Sequence, residues 1–209
     1  MRLLEVYADL ARRGEHLLGG LLGGRAPRQW EHYPENDAIG AGSGYQWFYH
    51  SHSPQDRADA AEHGHIHLFA RRKLWSRRLC SASEREFASL SRLAPLSVNT
   101  RHLLSIAFDA KGIPRSLFTV NSWVTGDLML GAALSGELLE NISLNTGHAE
   151  IDTVIESLLQ LYREEIFHLL AQRDKALFGW KGKNVLADQR LEVLSELKID
   201  VDSKLANCR

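Results

Sequence analysis

Hydrophobic residues recur at helical spacing in several parts of the chain, which predicts amphipathic helices there. The first pattern begins near the start of the chain, and the glycine-rich tract Gly19–Gly24 then ends it. In a later pattern, Ser83 and Glu86 have the spacing of a capping box at the beginning of a helix. The predicted helices span residues 2–18, 81–94, 125–140, 151–177 and 186–197.

Alternating apolar and polar residues predict four strands between the first helix and the later ones. Two aromatic-rich strands, residues 45–52 and 64–71, are joined by a polar connection, and residues 102–109 and 115–121 form a hairpin around Gly112. Hairpin strands with helices on either side in sequence indicate an α+β fold. We therefore expect an antiparallel sheet of about four strands, packed on one face by helices, with a helical C-terminal part.

The same pattern describes a single α+β domain over residues 1–209. Residues 1–24 form its N-terminal helix, 30–125 its sheet-forming part and 126–209 its helical part. Residues 30–44 contain a proline and several glycines, which favours a loop that leads directly into the first strand.

Strand parity separates the aromatic residues of the first two strands from their histidines. On a strand, alternate side chains share one face, so Trp47 and Tyr49 lie opposite His50. The apolar faces are expected to pack on helices, and the other face then collects His50, His52, His65, His67, Thr119 and Asn121. By the same parity, Phe118 and Val120 belong to the apolar face, and so does His102.

Four imidazoles on neighbouring strands predict a metal site, because opposed positions lie about 5 Å apart and neutral imidazole binds zinc and iron. The predicted ligands of a divalent transition metal, zinc or iron, are His50, His52, His65 and His67. Further candidates are His32, His63 and Glu62, with Glu35 or Asp37 as other sources of a carboxylate. The end of the hairpin and the turn after it resemble a ligand-contacting segment, with Thr119, Asn121 and Trp123 as candidates, and a strand-to-helix junction explains the same pattern equally well.

Two other interpretations of the histidines stay open. Clusters of this kind also arise in aromatic stacks and hydrogen-bond networks, and a metal-free site can use histidine as a general base. Cys80 is the one plausible thiol nucleophile, but its helical surroundings indicate a structural role.

Composition adds mainly exclusions. A net charge of −1, with 44% hydrophobic and 24% charged residues, is ordinary for a soluble globular protein and gives no general attraction for nucleic acid or an anionic membrane. The glycine-rich tract lacks the lysine of a phosphate-binding loop, so no nucleotide cofactor is expected. With two cysteines and no apolar run of about 20 residues, the expected location is cytoplasmic.

Several short motifs occur in a fixed order over residues 30–195, and together they resemble a bacterial family of domains of unknown function. The motifs are HYP at 32–34, YHSH at 49–52, EHGHIHLF at 62–69, LFTVNSWVTG at 117–126 and RLEVLS at 190–195. The resemblance supports the segment boundaries but carries no established activity.

The leading hypothesis is therefore a metal-binding protein with a histidine-lined sheet face, and whether it is a metalloenzyme, with an unknown substrate, is left open. One alternative is a non-enzymatic accessory subunit that presents a peptide or protein to another enzyme, and so has a protein partner or forms a homo-oligomer. Another is a small-ligand binder that uses the aromatic strands without metal.

Overall fold

A computed structural model of the chain describes residues 2–51, 62–79, 81–90, 99–182 and 184–207. The predicted ligand His52 and the two cysteines, Cys80 and Cys208, lie outside these described residues. The described residues form an α+β fold in which helices pack on an antiparallel sheet. Among them, no helix combines the length and the apolar character needed to cross a bilayer.

The described strands are β1 (Tyr33–Ile39), β2 (Tyr45–Ser51), β3 (Gly64–Arg71), β4 (Thr100–Phe108), β5 (Pro114–Val120), β6 (Leu128–Met129) and β7 (Val193–Lys198). The described helices are α1 (Arg2–Arg13), α2 (Leu17–Leu22), α3 (Arg72–Trp75), α4 (Ala82–Ala88), α5 (Ser122–Thr125), α6 (Ala132–Glu140), α7 (Ala149–Leu161), α8 (Arg163–Gly179) and α9 (Val201–Asn207). A short 3-10 helix spans Val185–Ala187.

The sheet has seven strands among the described residues, so the expectation of about four was wrong. Its order is β1-β2-β3-β4-β5-β7, with every neighbour antiparallel, and β6 pairs with β4 in parallel. The four predicted strands are β2 to β5, at the centre of this order. The strands that the sequence pattern missed are its two edges and the short β6.

Edge position explains why β1 and β7 were missed. β1 reads YPENDAI and pairs only with β2, so its side chains are largely solvated and lack an alternating pattern. β7 reads VLSELK, and its leucines match helical spacing well enough that residues 186–197 were predicted as a helix. That prediction was wrong, because hydrogen bonding to β5 overrides a weak local preference.

The other four predicted helices are present, but each is divided or has different bounds. The pattern over 2–18 is divided into α1 and α2 at Gly14, whose φ of 67° is left-handed, and the pattern over 151–177 is divided into α7 and α8 at Tyr162. The predicted helix over 125–140 contains β6 before α6 begins. The cap of α4 is Ser81, whose hydroxyl accepts the N–H of Glu84, rather than the predicted pair two residues later.

One face of the sheet carries the main core, as strand parity predicted. Trp47, Tyr49, Ile66 and Leu68 are fully buried in one cluster with residues of α1, α6, α7 and α8. The Trp47 indole N–H also donates to Asp152 of α7 at 2.9 Å, which anchors β2 to the helical layer. Helices α1, α6, α7 and α8 therefore pack on one side of the sheet, and the histidine side chains of β2 and β3 point to the other.

Candidate metal centre

Three histidines converge on the face of the sheet opposite the main core. His50 of β2 pairs directly with His65 of β3, and His67 follows two residues later on the same strand, so all three share one face. The His65 Nε2 atom lies 2.7 Å from Nε2 of His50 and 3.0 Å from Nε2 of His67. All three side chains are buried, and their ligand atoms lie within 4.8 Å of one another. This geometry can hold a metal ion.

The N–H groups and lone pairs of these rings are compatible with a cation shared between them. An imidazole nitrogen carries either one N–H or one lone pair in the ring plane, so one nitrogen cannot make good hydrogen bonds to two others at once. The His65 Nε2 atom nevertheless faces both neighbouring nitrogens. Two histidines on one zinc place their nitrogens about 3.3 Å apart, given Zn–N distances of about 2.0–2.1 Å. The observed separations of 2.7 and 3.0 Å are shorter than that value, so a bound zinc ion requires the rings to move slightly apart.

Second partners orient two of the rings. The Nδ1 atom of His65 donates to Glu62 Oε1 at 2.5 Å, and this bond leaves the Nε2 lone pair directed at the cluster. The Nδ1 atom of His67 lies 2.9 Å from the hydroxyl of Ser105. A ligating histidine normally donates its other N–H to a carboxylate or similar acceptor, which fixes its tautomer. Glu62 and Ser105 are placed for that role, and Glu62 bonds His65 rather than belonging to the cluster of three.

His102 joins the histidine face through a β-bulge in β4. Leu68 pairs with Leu104 but Phe69 pairs with His102, so Leu103 is an extra residue that reverses the parity of β4 at this point. The expectation that His102 belongs to the apolar face was therefore wrong. Its Nε2 atom lies 3.1 Å from Nδ1 of His67.

Burial keeps His102 neutral. The loss of solvation, with smaller contributions from Arg173 and His65, lowers its pKa to about 3. Its Nδ1 atom has no hydrogen-bond partner among the described residues. His102 thus supports the ring of His67 from behind, and its remaining nitrogen does not belong to the cluster of three.

The additional candidates His32 and His63 lie outside the triad. His32 stacks on Phe48 with ring centroids 3.6 Å apart, and its Nδ1 atom lies 2.9 Å from Asp37. His63 bonds the hydroxyl of Tyr49 at 2.7 Å, and burial lowers its pKa. The centroids of the His32 and His50 rings are 6.5 Å apart. The candidate carboxylate Glu35 is exposed on β1.

The residues expected to contact a ligand after the hairpin have different surroundings. Ser105 pairs with Phe118, and the Phe118 ring meets His65 edge-on at 5.0 Å, so Phe118 is on the histidine face and the predicted parity of β5 was wrong. Thr119 faces the other side, where its hydroxyl bonds Ser195 at 2.7 Å. Asn121 caps α5 and donates to the Val185 carbonyl oxygen.

A cavity of about 400 Å³ opens in front of the histidines. Trp123 lines it and is held by an indole N–H bond to the Leu191 carbonyl oxygen at 3.0 Å. The described lining residues are Trp30, His32, Asp37, Gln46, Phe48, His50, His65, His67, Phe69, Val120, Trp123, Val124, Thr125, Asp127 and Glu192. Sequence reasoning missed Trp30, Asp127 and Glu192, which come from three separate segments, and only the closeness of Trp30 to His32 in sequence could have indicated one of them.

Two cavity residues have left-handed backbone conformations. Trp30 has φ 65° and Asp37 has φ 52°, and both are unusual for residues other than glycine. At Asp37 the cause is a large bulge, in which residues 34–37 of β1 lie opposite the single residue Phe48. The Asp37 carboxylate accepts the Gln46 amide N–H at 2.7 Å and contacts His32 with its other oxygen. Strained backbone of this kind is concentrated at functional sites.

Comparison with known proteins identifies a family but no activity. The model of a family described as "Domain of unknown function (DUF6969)" matches residues 1–199. No curated protein and no solved structure matches the chain. The chemistry of the site must therefore be argued from its own residues.

Proposed function

We propose that this chain, which belongs to the DUF6969 family of domains of unknown function, is a mononuclear metalloprotein with His50, His65 and His67 as its ligands. The convergence of three buried histidine nitrogens within 4.8 Å of one another carries this proposal, because three neutral imidazoles at such spacing are a common zinc-ligand set. The Glu62–His65 bond adds the carboxylate that commonly supports a zinc-bound histidine.

Zinc fits these ligands better than iron. Non-haem iron sites that activate oxygen typically use two histidines and one carboxylate, whereas three neutral histidines are a common catalytic zinc set. The carboxylate nearest the cluster, Glu62, is already bonded to the Nδ1 side of His65 and so is turned away from the shared centre.

We further propose that the protein is an enzyme whose substrate enters the cavity. A zinc ion with three protein ligands has a free position and supplies Lewis-acid or water-activating chemistry when it is bound. Among the residues of the chain, Phe48 and Phe69 give the site an apolar wall that restricts water. His32, oriented by Asp37, is within the same cavity and can accept a proton from a bound substrate or water.

Elemental analysis of protein purified without an affinity tag tests the metal site. We expect about one zinc per chain in the wild type and less than about a tenth of that in the double variant His65→Ala/His67→Ala, because one remaining histidine binds zinc weakly. His168→Ala is the matched control, because His168 is an exposed residue of α8 and is not one of the clustered histidines. It should leave the zinc content unchanged.

Metal that is substoichiometric in the wild type and insensitive to loss of His65 and His67 would contradict the proposal. The aromatic cavity would then favour a small-ligand binder without metal, which predicts thermal stabilisation by an organic ligand and no effect of chelators. The same purified protein therefore distinguishes a metalloprotein from a metal-free ligand binder.

A further inference from the structure

We infer that the cavity selects a small aromatic ligand that carries a positively charged amine and discriminates against carboxylates and other organic anions. This deepens the proposed function by naming a substrate class. It rests on the proposed function in assigning the three histidines to the metal at one end of the cavity. The charge and shape of the remaining walls carry it independently.

The charged side chains that line the cavity are acidic. Asp37 comes from β1, Asp127 from the segment before β6, and Glu192 from the segment before β7, so carboxylates stand on separate walls. No lysine or arginine is found among the described lining residues. Sites for carboxylate or phosphate groups normally provide an arginine fork or a lysine. This cavity instead presents negative charge, which attracts cations and repels anions.

Aromatic side chains form much of the remaining wall. Phe48 and Phe69 are stacked with ring centroids 5.5 Å apart, Trp123 stands on α5, and Trp30 meets the His50 ring edge-on at 6.0 Å. Flat apolar rings favour a planar ligand body, and the face of an indole attracts a cation. A cavity of about 400 Å³ is of the size that holds a small organic molecule.

Trp30 supplies a second observation that points to a ligand. Its side chain is 62% exposed, and its backbone φ of 65° is costly for a bulky residue. Much of this large apolar ring is open to solvent at the cavity rim, in addition to its edge-on contact with His50. A ligand that covers the ring would bury that surface and recover the cost.

Three probes with the same ring and different charge test this inference. Benzylamine, benzyl alcohol and benzoate are titrated by calorimetry into the protein as purified and after treatment with a chelator. In the chelated protein we expect benzylamine to bind at least about tenfold more tightly than benzoate, with the alcohol between them. That arm contains no metal, so it reports on the cavity walls even if the metal proposal fails.

Variants then assign the preference to particular residues. Glu192→Gln removes an exposed carboxylate from the cavity and should reduce the ratio of benzylamine to benzoate affinity by about threefold. Glu164→Gln removes the same charge from the exposed surface of α8 and should leave the ratio unchanged. Trp30→Ala should weaken all three probes, since it removes a wall that they share.

Benzoate that binds as tightly as benzylamine to the chelated protein would overturn the inference, as would the absence of binding by all three probes. Equal effects of Glu192→Gln and Glu164→Gln would also overturn it, because the preference would then reflect overall charge. Benzoate that gains affinity only when zinc is present would indicate direct contact with the metal and would support the metal proposal alone. The outcome with the chelated protein still decides the charge preference of the cavity.

Discussion

At the scale of single residues, the proposed centre depends on side chains that orient two of the three histidines, His65 and His67. Glu62 is the clearest of them, because its carboxylate fixes the proton of His65 on Nδ1 and is itself nearly inaccessible to solvent. The Ser105 hydroxyl has the corresponding position beside His67. Removing such a partner leaves the ligand present but free to turn or to change tautomer.

Glu62→Ala should therefore raise the dissociation constant for zinc by about 10- to 100-fold while the three ligands stay in place. Competition with a chromogenic chelator measures this constant directly. Glu164→Ala on α8 is a control of equal size at an exposed position. Unchanged zinc affinity in Glu62→Ala would show that the bond to His65 has no role in metal binding.

Strand alternation was sufficient to predict that His50, His65 and His67 share one face, because each lies on a central strand whose opposite face is hydrophobic. The same rule failed for His102, because the extra residue Leu103 in β4 reverses the parity. No property of Leu103 itself indicates a bulge. The position of the insertion depends on the pairing of β4 with β3, which a single sequence does not contain.

At the scale of elements, β2 and β3 approach each other so closely beside the histidines that only glycine fits at the start of β3. A Cβ atom at Gly64 would collide with the carbonyl oxygen of His50 and the hydroxyl of Tyr49, and would lie 2.7 Å from Cζ of Tyr49. These atoms belong to a paired strand and a buried ring, so they have little freedom to move.

Gly64→Ala should consequently lower the free energy of unfolding by about 1–3 kcal/mol and weaken zinc binding, because it separates His50 from His65. Chemical denaturation and metal titration measure the two effects. Gly20→Ala in α2 is the matched control, since a Cβ there has open space, and it should stabilise the protein by about 0.5–1 kcal/mol. Similar stabilities of the two variants would contradict the steric argument.

The turn between β4 and β5 gives a prediction on pH. Burial alone raises the pKa of the Asp109 carboxyl, but the N–H of Ile113, the Arg115 guanidinium and the N–H of Lys111 outweigh it and hold the pKa below its usual range. A carboxyl whose folded pKa is depressed stabilises the fold above its unfolded pKa, about 3.9 for aspartate, and loses this contribution as the pH falls through the folded pKa.

Asp109→Ala should thus cost about 1–3 kcal/mol at pH 7. The difference from wild type should shrink below about pH 4, where the carboxyl of the unfolded chain begins to be protonated, and should be lost below the depressed pKa of the folded protein. Urea unfolding at pH 7 and at pH 3 gives both values. A difference that is the same at the two pH values would show that the carboxylate charge contributes nothing at this turn.

Central elements were predictable from the sequence and edge elements were not. β2 to β5 are buried on at least one face, and their alternation is a direct consequence of that burial. β1 is half solvated and β7 has a helical spacing of leucines, so their conformations are set by neighbours far away in the sequence. Glu192 was not predicted as a cavity residue for the same reason, because it directly precedes β7.

At the scale of the whole molecule, a buried arginine joins the helical layer to the sheet. Arg173 of α8 is fully buried, donates to the Leu130 carbonyl oxygen at 2.6 Å and bonds Asp174 at 2.8 Å through its Nε atom. Its guanidinium also lies 5.3 Å from the centre of the Phe87 ring of α4. The remaining Nη1 atom has no hydrogen-bond partner among the described residues. The burial of this charge is costly, so its partners are essential.

Arg173→Ala should destabilise the protein by about 3–5 kcal/mol, because it leaves a cavity and removes the hydrogen-bond donor of the Leu130 carbonyl oxygen. Arg173→Met fills most of the space without a charge, so it should be less destabilising. Arg163→Ala, which removes an exposed ion pair with Glu140, should cost less than about 1 kcal/mol. Thermal unfolding ranks the three, and an Arg173→Ala variant as stable as Arg163→Ala would refute the role of the buried guanidinium.

The left-handed backbone at Trp30 and Asp37 has a consequence for how this chain responds to selection for stability. Glycine adopts these conformations without strain, so Trp30→Gly should raise the free energy of unfolding by about 1 kcal/mol, measurable by denaturation, while it removes an aromatic wall of the cavity. Improving stability and retaining binding are then opposed at the same position. Laboratory evolution for heat resistance alone should therefore first replace the residues that shape the mouth of the cavity.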